Sequence, residues 1–87
     1  MSKSEKLLKR LLNNPKDFTF GELETLLSDF GFQLSNAGGT SGSAIRFINY
    51  RTGQIIRIHK PHPSPILKQY LVKFVINELK QGGYLND

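Results

Sequence analysis

The first apolar stripe of the chain lies in the segment "SEKLLKRLLNNP", where charged and apolar residues follow each other with helical spacing. One face of the predicted helix carries Leu7, Leu8, Leu11 and Leu12. Ser2 and Glu5 have the spacing of a capping box, and the Asn-Asn-Pro run that ends at Pro15 stops the pattern. We therefore expect a short amphipathic helix here.

A second amphipathic helix is predicted in "DFTFGELETLLSDFGF". Thr19 and Glu22 repeat the capping-box spacing and mark its start. Its apolar face carries Leu23, Leu26, Leu27 and Phe30. Gly31 follows that face, and glycine accepts the left-handed conformation with which many helices end.

Three stretches with the pattern of β-strands come next. "FQLS" is predicted as the first strand, with Phe32 and Leu34 on one side, and "NAGGTSGS" after it is a run of small, turn-forming residues. "SAIRFIN" and "QIIRIH" are predicted as the second and third strands, joined around "YRTG". If Asn49 and Gln54 close this hairpin, its buried face consists of two pairs, Ile45 with Ile58 and Phe47 with Ile56.

The other face of the predicted hairpin places two arginines together. In the same register Arg46 lies opposite Arg57, and Ala44 lies opposite His59. Directly opposed residues are roughly 5 Å apart at Cα, so the two guanidinium groups repel each other. An anion between them would explain the pair, whereas a register slip of one residue would reverse both faces.

The end of the chain is predicted to be a long helix after a stiff connection. "KPHPSP" contains three prolines, which exclude helix and hold His62 in an extended segment. Ser64 is predicted as the N-cap and Pro65 as the first helical residue, and the helix runs to about Gln81. Its apolar positions, Ile66, Leu67, Tyr70, Leu71, Val72, Phe74, Val75, Ile76 and Leu79, form more than one core stripe. The excess either packs the N-terminal helix or forms a surface for a partner protein.

The order of helix, helix, three strands and helix predicts an α+β fold. We expect a two-layer sandwich with a three-stranded antiparallel meander and helices on one face. A chain of 87 residues is predicted to be a single domain, 1–87. No apolar run is long enough to span a bilayer, no signal peptide is recognisable, and the absence of cysteine excludes disulfides and thiolate-bound zinc.

Charge is distributed unevenly along the chain. The net charge is +5, and no acidic residue occurs between Asp29 and Glu78. That interval contains both histidines and these basic residues: Arg46, Arg51, Arg57, Lys60, Lys68 and Lys73. A field of one sign over the middle of a small protein suits a polyanion, and the alternative is a solvated basic surface without a dedicated partner.

Several of these elements together resemble one known family. They are a capped helix ending in "GF", a Gly/Ser loop, a "GS" strand, a basic strand, an "HP" loop and a helix reading "LK…V…I…LKQGG". The chain resembles the HicA toxins of bacterial and archaeal toxin–antitoxin pairs over residues 18–85, in particular a longer subgroup with "TSGS" and "HKPHP" elements. In that comparison 1–15 is a helical extension and 16–85 the HicA-like core. The resemblance implies a fold like the double-stranded RNA-binding domain, ribosome-independent mRNA cleavage, and inhibition by a HicB antitoxin.

The chain departs from this family at position 44. Typical members have histidine after the "GS" pair as the presumed catalytic residue, but Gly42 and Ser43 are followed here by Ala44. Alanine has no titratable group, so the family's catalytic role cannot be carried to position 44. Ala44 is a substitution that inactivates a toxic protein, or it is natural and another residue does the chemistry, or the protein binds RNA without cutting it.

His59 is the predicted replacement for the missing histidine, because it lies opposite position 44. RNA cleavage without metal needs a base for the 2′-hydroxyl proton, an acid for the leaving 5′-oxygen and cations at the phosphorane. Imidazole titrates near neutral pH and can serve as either. His62 is the second candidate. The predicted RNA-binding residues are Arg46, Arg57 and Lys60 at the phosphate, Arg51 at the hairpin tip, and Gly42 and Ser43 in the loop.

Three functions remain open from the sequence. The first is a toxin that acts as a metal-independent endoribonuclease on mRNA in the cytoplasm, with no cofactor and no metal site. The second is a non-catalytic RNA-binding module, since RNA duplexes are recognised mainly by shape. The third is a protein-interaction subunit whose basic face docks an acidic HicB-like antitoxin. Tyr50 and Tyr84 are the predicted tyrosines for stacking on bases.

Overall fold

The computed structural model describes residues 3–35, 44–61 and 63–85 of the chain. The elements in chain order are α1 (Lys3–Leu12), α2 (Phe20–Asp29), β1 (Phe32–Ser35), β2 (Ala44–Asn49), β3 (Ile55–His59) and α3 (Gln69–Gln81). The three strands form one antiparallel sheet in the order β1-β2-β3, so β1 and β3 are its edges. This confirms the predicted α+β fold with the order α-α-β-β-β-α.

Local sequence signals account for both ends of α2. The Thr19 hydroxyl accepts a hydrogen bond of 3.2 Å from the backbone N–H of Glu22, and the Thr19 N–H donates to the Glu22 carboxylate at 3.0 Å. This is the predicted capping box, which satisfies two N–H groups that the first helical turn leaves free. Gly31 has φ +98° after the helix, a conformation that a side chain would strain. The Ser2 cap predicted for α1 lies outside the described residues.

The hairpin of β2 and β3 has the predicted register. Arg46 pairs with Arg57 and Ala44 with His59, while the remaining pairs are Ile45 with Ile58, Phe47 with Ile56, and Ile48 with Ile55. The Asn49 N–H donates to the Gln54 carbonyl at 2.9 Å, which closes the turn where expected. Because strand side chains alternate between faces, this register alone separates an apolar face from a basic one.

The core lies between the apolar face of the sheet and the three helices. Its buried members are Leu7, Leu11, Phe18, Phe20, Leu23, Leu26, Leu27, Phe32, Ile45, Phe47, Ile56, Ile58, Leu67, Val72, Val75 and Leu79. Leu34 shares the inward side with Phe32, as predicted, yet it is 41% exposed. It borders a groove of about 480 Å³ between β1 and α2, so the end of this edge strand is left partly uncovered.

The last helix begins later than predicted. Ser64 is not its N-cap and Pro65 is not its first residue, because α3 starts at Gln69 after Lys68. The backbone of residues 65–67 instead bonds to residues 18–20, where α2 begins: Phe20 N–H donates to the Pro65 carbonyl, and Leu67 N–H donates to the Phe18 carbonyl, both at 2.8 Å. These bonds bury Leu67 and outweigh the local helix signal, which depended on neighbouring residues alone.

The turn end of the hairpin is tied to the end of α3. Asn49 is 1% exposed, and its side-chain amide donates to the Phe30 carbonyl at 3.0 Å and to the Tyr84 hydroxyl at 2.7 Å. The same hydroxyl bonds to the Thr52 hydroxyl at 2.7 Å. The Tyr84 ring packs on Phe30 and Phe32, so it has a structural role, while base stacking by Tyr84 stays a prediction.

Candidate functional site

The face of the sheet that points away from the helices carries the candidate chemistry. We call it the outer face; its members in the three strands are Gln33, Ser35, Arg46, Ile48, Ile55, Arg57 and His59. Burial follows the alternation, since in β3 the side chains of Ile56 and Ile58 are buried while those of Ile55, Arg57 and His59 are exposed. Ser35, Arg46 and Arg57 form one row across the sheet, and position 44 and His59 belong to the next row of the hairpin.

The arginine row has an unbalanced positive charge. Arg46 and Arg57 are direct cross-strand partners, and neither forms an ion pair with any residue in the described part of the chain. The Arg46 Nε atom is buried and has no hydrogen-bond partner among the described residues. A buried donor without a partner is costly, and like charges directly opposite are destabilising. An anion bound at this row would relieve both penalties.

His59 lies where the outer face meets a groove between β3 and α3. Its side chain is exposed and its Cα is paired with that of Ala44, as the sequence predicted. Two adjoining cavities of about 400 and 230 Å³ share His59, Tyr70 and Leu71 in their walls. We call this space the His59 groove. The smaller cavity also contacts Arg57, so the groove connects the histidine with one member of the arginine row.

Two other predicted RNA-binding residues, Lys60 and Arg51, do not lie at that row. The Lys60 Nζ atom lies 5.5 Å from the centroid of the Phe20 ring, so its ammonium points to the helix side of the sheet. Arg51 lies in the turn, at the opposite end of the hairpin from His59, a separation of roughly 17 Å at the rise of a β-strand. Lys60 nevertheless lines the His59 groove.

Three predicted site residues lie outside the described residues: Gly42, Ser43 and His62. Their roles in catalysis or RNA binding stay predictions. The importance of position 44, where the family's histidine is replaced by alanine, also stays a prediction. Within residues 3–35, 44–61 and 63–85 no cluster of three or more His, Cys, Asp or Glu side chains is arranged to hold a metal ion.

Tyr70 is the site residue that sequence reasoning did not single out. It was assigned to the apolar face of the last helix, but its side chain is 69% exposed and lines both cavities of the groove. Phe74, one helical turn later, is 40% exposed and lines the smaller cavity. The signal was available in the spacing: Tyr70 and Phe74 are four residues apart and miss the stripe of Val72, Val75 and Leu79.

The fold and the outer face define a small α+β protein with an open, basic sheet surface suited to an anionic partner. A family model described as the HicA toxin of bacterial toxin–antitoxin systems matches residues 20–84, well over half of the chain. The chain therefore belongs to the HicA toxin family, and membership implies a cognate antitoxin partner. Neither the curated proteins nor the solved structures contain a match to it. None of the helices in the described ranges has the length and apolar character needed to cross a membrane.

Proposed function

We propose that this HicA-family toxin is a metal-independent endoribonuclease that cuts mRNA in the cytoplasm, with His59 as its general base. The observation that carries the proposal is the pairing of His59 with position 44, where the family's presumed catalytic histidine is replaced by alanine. An imidazole at His59 enters the same row of the outer face from the neighbouring strand. In this proposal the row keeps a titratable group, at His59 on β3 instead of at position 44 on β2.

The proposed reaction uses His59 and the arginine pair of the neighbouring row, which the strand register places on the same face. His59 accepts the proton of a ribose 2′-hydroxyl, and the resulting oxygen attacks the adjacent phosphorus atom. The bond from phosphorus to the 5′-oxygen breaks, which yields a 2′,3′-cyclic phosphate and a 5′-hydroxyl end. Arg46 and Arg57 hold the phosphate and stabilise the added negative charge of the phosphorane. The leaving oxygen takes a proton from an acid, for which His62 is the candidate.

The test is cleavage of a labelled single-stranded RNA in the presence of EDTA, with the unchanged chain, His59→Ala and Ala44→His in parallel. We expect the unchanged chain to cut and His59→Ala to lose about 10²- to 10⁴-fold in rate, the usual contribution of a general base. Circular dichroism serves as the folding control, because His59 is exposed and its truncation leaves the core intact. Cleavage only by Ala44→His, or cleavage that EDTA abolishes, would contradict the proposal.

A second candidate function is RNA binding without cleavage, and Ala44 is the observation that favours it. Position 44 has no group that can move a proton, while the arginine row is still present. RNA affinity in a filter-binding assay, combined with no cleavage by either the unchanged chain or Ala44→His, would identify the protein as a binder. That the open basic face docks an acidic antitoxin also stays a prediction; such docking would cover the same residues.

A further inference from the structure

We infer that the His59 groove is a subsite for one unpaired nucleobase of a single-stranded RNA, with Tyr70 as the surface on which the base stacks. The inference deepens the proposed function and rests on RNA being the ligand of the outer face. It assigns a binding role to a part of α3 that the cleavage chemistry does not use. The groove meets the outer face at His59, so a base there would belong to a nucleotide close to the scissile phosphate.

The exposed aromatic residues of α3 are not required by the core. Val72, Val75 and Leu79 are each 0% exposed and anchor the helix against the sheet, whereas Tyr70 and Phe74 lie beside the edge of β3. Tyr70 is 69% exposed, so its ring is available for contact. Large apolar side chains grouped at one groove, rather than scattered singly, indicate a binding surface.

The charge of the groove selects an anionic ligand. Arg57, Lys60 and Lys68 line it, and no acidic side chain does so among the described residues. A positive groove that contains aromatic rings is the usual means of binding single-stranded nucleic acid, because each base has a face that stacks and each backbone unit has a charge. A paired base in a duplex would not offer that face, so the bound strand is single.

The size of the space also fits a compact planar group. The larger cavity, at about 400 Å³, lies within the range of small-molecule sites, and Ile66 and Leu71 add apolar wall on the side of α3. Base stacking on tyrosine tolerates any base, so this subsite would strengthen binding near the cut without fixing a sequence. An extended acidic protein segment is the competing occupant of the groove, and the experiment below separates the two.

The experiment measures binding of a short mixed-sequence 2′-O-methyl oligoribonucleotide, which cannot be cut, with an abasic residue placed at each position in turn. For the unchanged chain we expect one abasic position to weaken binding by about tenfold, the usual effect of losing one stacked base. Tyr70→Phe keeps the aromatic ring, so it should show the same affinity and the same abasic effect as the unchanged chain. Tyr70→Ala should bind the intact oligonucleotide about tenfold more weakly and show no further loss at that abasic position.

Leu12→Ala is the control, because Leu12 is also a large, exposed apolar residue, 46% accessible, but lies at the end of α1 and does not line the His59 groove. It should keep the full abasic effect. An abasic effect that persists in Tyr70→Ala, or that disappears in Leu12→Ala instead, overturns the inference. Tyr70-dependent binding of a peptide of alternating glutamate and valine, without any abasic effect, would also overturn it and assign the groove to protein.

Cleavage of the matching unmodified RNA, measured in parallel, distinguishes the subsite from the proposed activity. Coupling between Tyr70 and one abasic position without any cleavage supports the subsite and contradicts the endoribonuclease. His59-dependent cleavage without that coupling contradicts the subsite and supports the endoribonuclease.

Discussion

Arginine has two contrasting environments in this protein. Arg10 of α1 donates from Nη1 to the Glu22 carboxylate at 2.8 Å and lies 2.7 Å from the Asp17 carboxylate through Nη2. Its guanidinium carbon also lies 5.2 Å from the centroid of the Phe18 ring. On the outer face, by contrast, Arg46 and Arg57 oppose each other without an ion pair to any described residue.

The difference indicates which charges belong to folding and which to binding. Arg10 joins α1 to the capping box of α2, so its partners are supplied by the fold itself. Among the described residues the outer-face pair has no such partners, and the two like charges cost stability where they stand. A charge that the fold leaves unpaired on an open surface is available to a ligand, and the following changes test this distinction.

The largest effect is expected from the double variant Arg46→Gln, Arg57→Gln. RNA affinity should fall by about 10- to 100-fold, because two charge-assisted contacts to phosphate are lost. The slope of log affinity against log salt should become shallower by about 1.4, at roughly 0.7 per phosphate contact. The free energy of unfolding should stay constant or rise by a few tenths of a kcal/mol as the repulsion is removed. Binding is measured by fluorescence anisotropy across a salt series.

Lys6→Gln, Lys9→Gln is the matched control for that experiment, since both lysines are exposed on α1 and the loss of charge is the same. An equal loss of affinity in the two double variants would mean that net charge alone attracts RNA. The outer face would then have no special role.

Arg10→Ala should show the opposite behaviour, with lower stability and nearly unchanged RNA binding. We expect the free energy of unfolding to fall by about 1–2 kcal/mol, because two ion pairs and a ring contact are lost but the guanidinium is 35% exposed and screened by solvent. Urea titration measures the change. Lys9→Ala, an exposed lysine of the same helix, provides the comparison, and a similar loss of stability in it would show that the Arg10 contacts contribute nothing specific.

Tyr84→Phe tests whether the hydrogen bonds between neutral groups at the turn end of the hairpin stabilise the fold, as the contacts of Arg10 are expected to do. Its hydroxyl bonds to Asn49 and Thr52, both at 2.7 Å, and the variant leaves the buried Asn49 amide one acceptor short. A loss of about 1 kcal/mol is expected in urea unfolding. Tyr70→Phe, which removes a hydroxyl from an exposed ring, should cost nothing measurable. Equal values for the two variants would disprove the structural role of the Tyr84 hydroxyl.

The smallest effect concerns the pH dependence of the Arg10 region. Burial by itself raises the pKa of Glu22, but hydrogen bonds from the Thr19 backbone and hydroxyl and from Arg10, together with the charge of Arg10, outweigh it and bring the pKa below 4.5. Because the folded pKa is depressed, this contribution to stability is present above the unfolded pKa and is lost as pH falls through the folded value.

Glu22→Gln should therefore flatten the fall in stability below about pH 4.5, as followed by thermal unfolding across a pH series. Glu24→Gln removes an exposed carboxylate from the same helix. It should leave the fall in stability at acidic pH the same as in the unchanged chain. Identical curves for the unchanged chain and Glu22→Gln would mean that the contacts at Glu22 do not contribute to stability.

The confirmed predictions about individual caps, turns and strand faces depend on short-range rules. Thr19 and Glu22 are three residues apart, so their capping box needs only the helix that they begin. Asn49 and Gln54 close a four-residue loop, and the alternation of strand side chains then places Arg46, Arg57 and His59 on one face. The candidate site was therefore accessible from the sequence, because a register determines a face once the turn is known.

What only the tertiary structure decided comes from contacts between distant parts of the chain. Hydrogen bonds between residues 65–67 and residues 18–20 delay the start of α3, and the Lys60 ammonium lies over the Phe20 ring on the helix side of the sheet. Tyr84 packs against Phe30 and Phe32 and accepts a hydrogen bond from Asn49. Tyr70 and His59 line the same cavity only because α3 lies against the edge of β3. Capping, alternation and turn closure are set by neighbouring residues, whereas these arrangements exist only after the core has assembled.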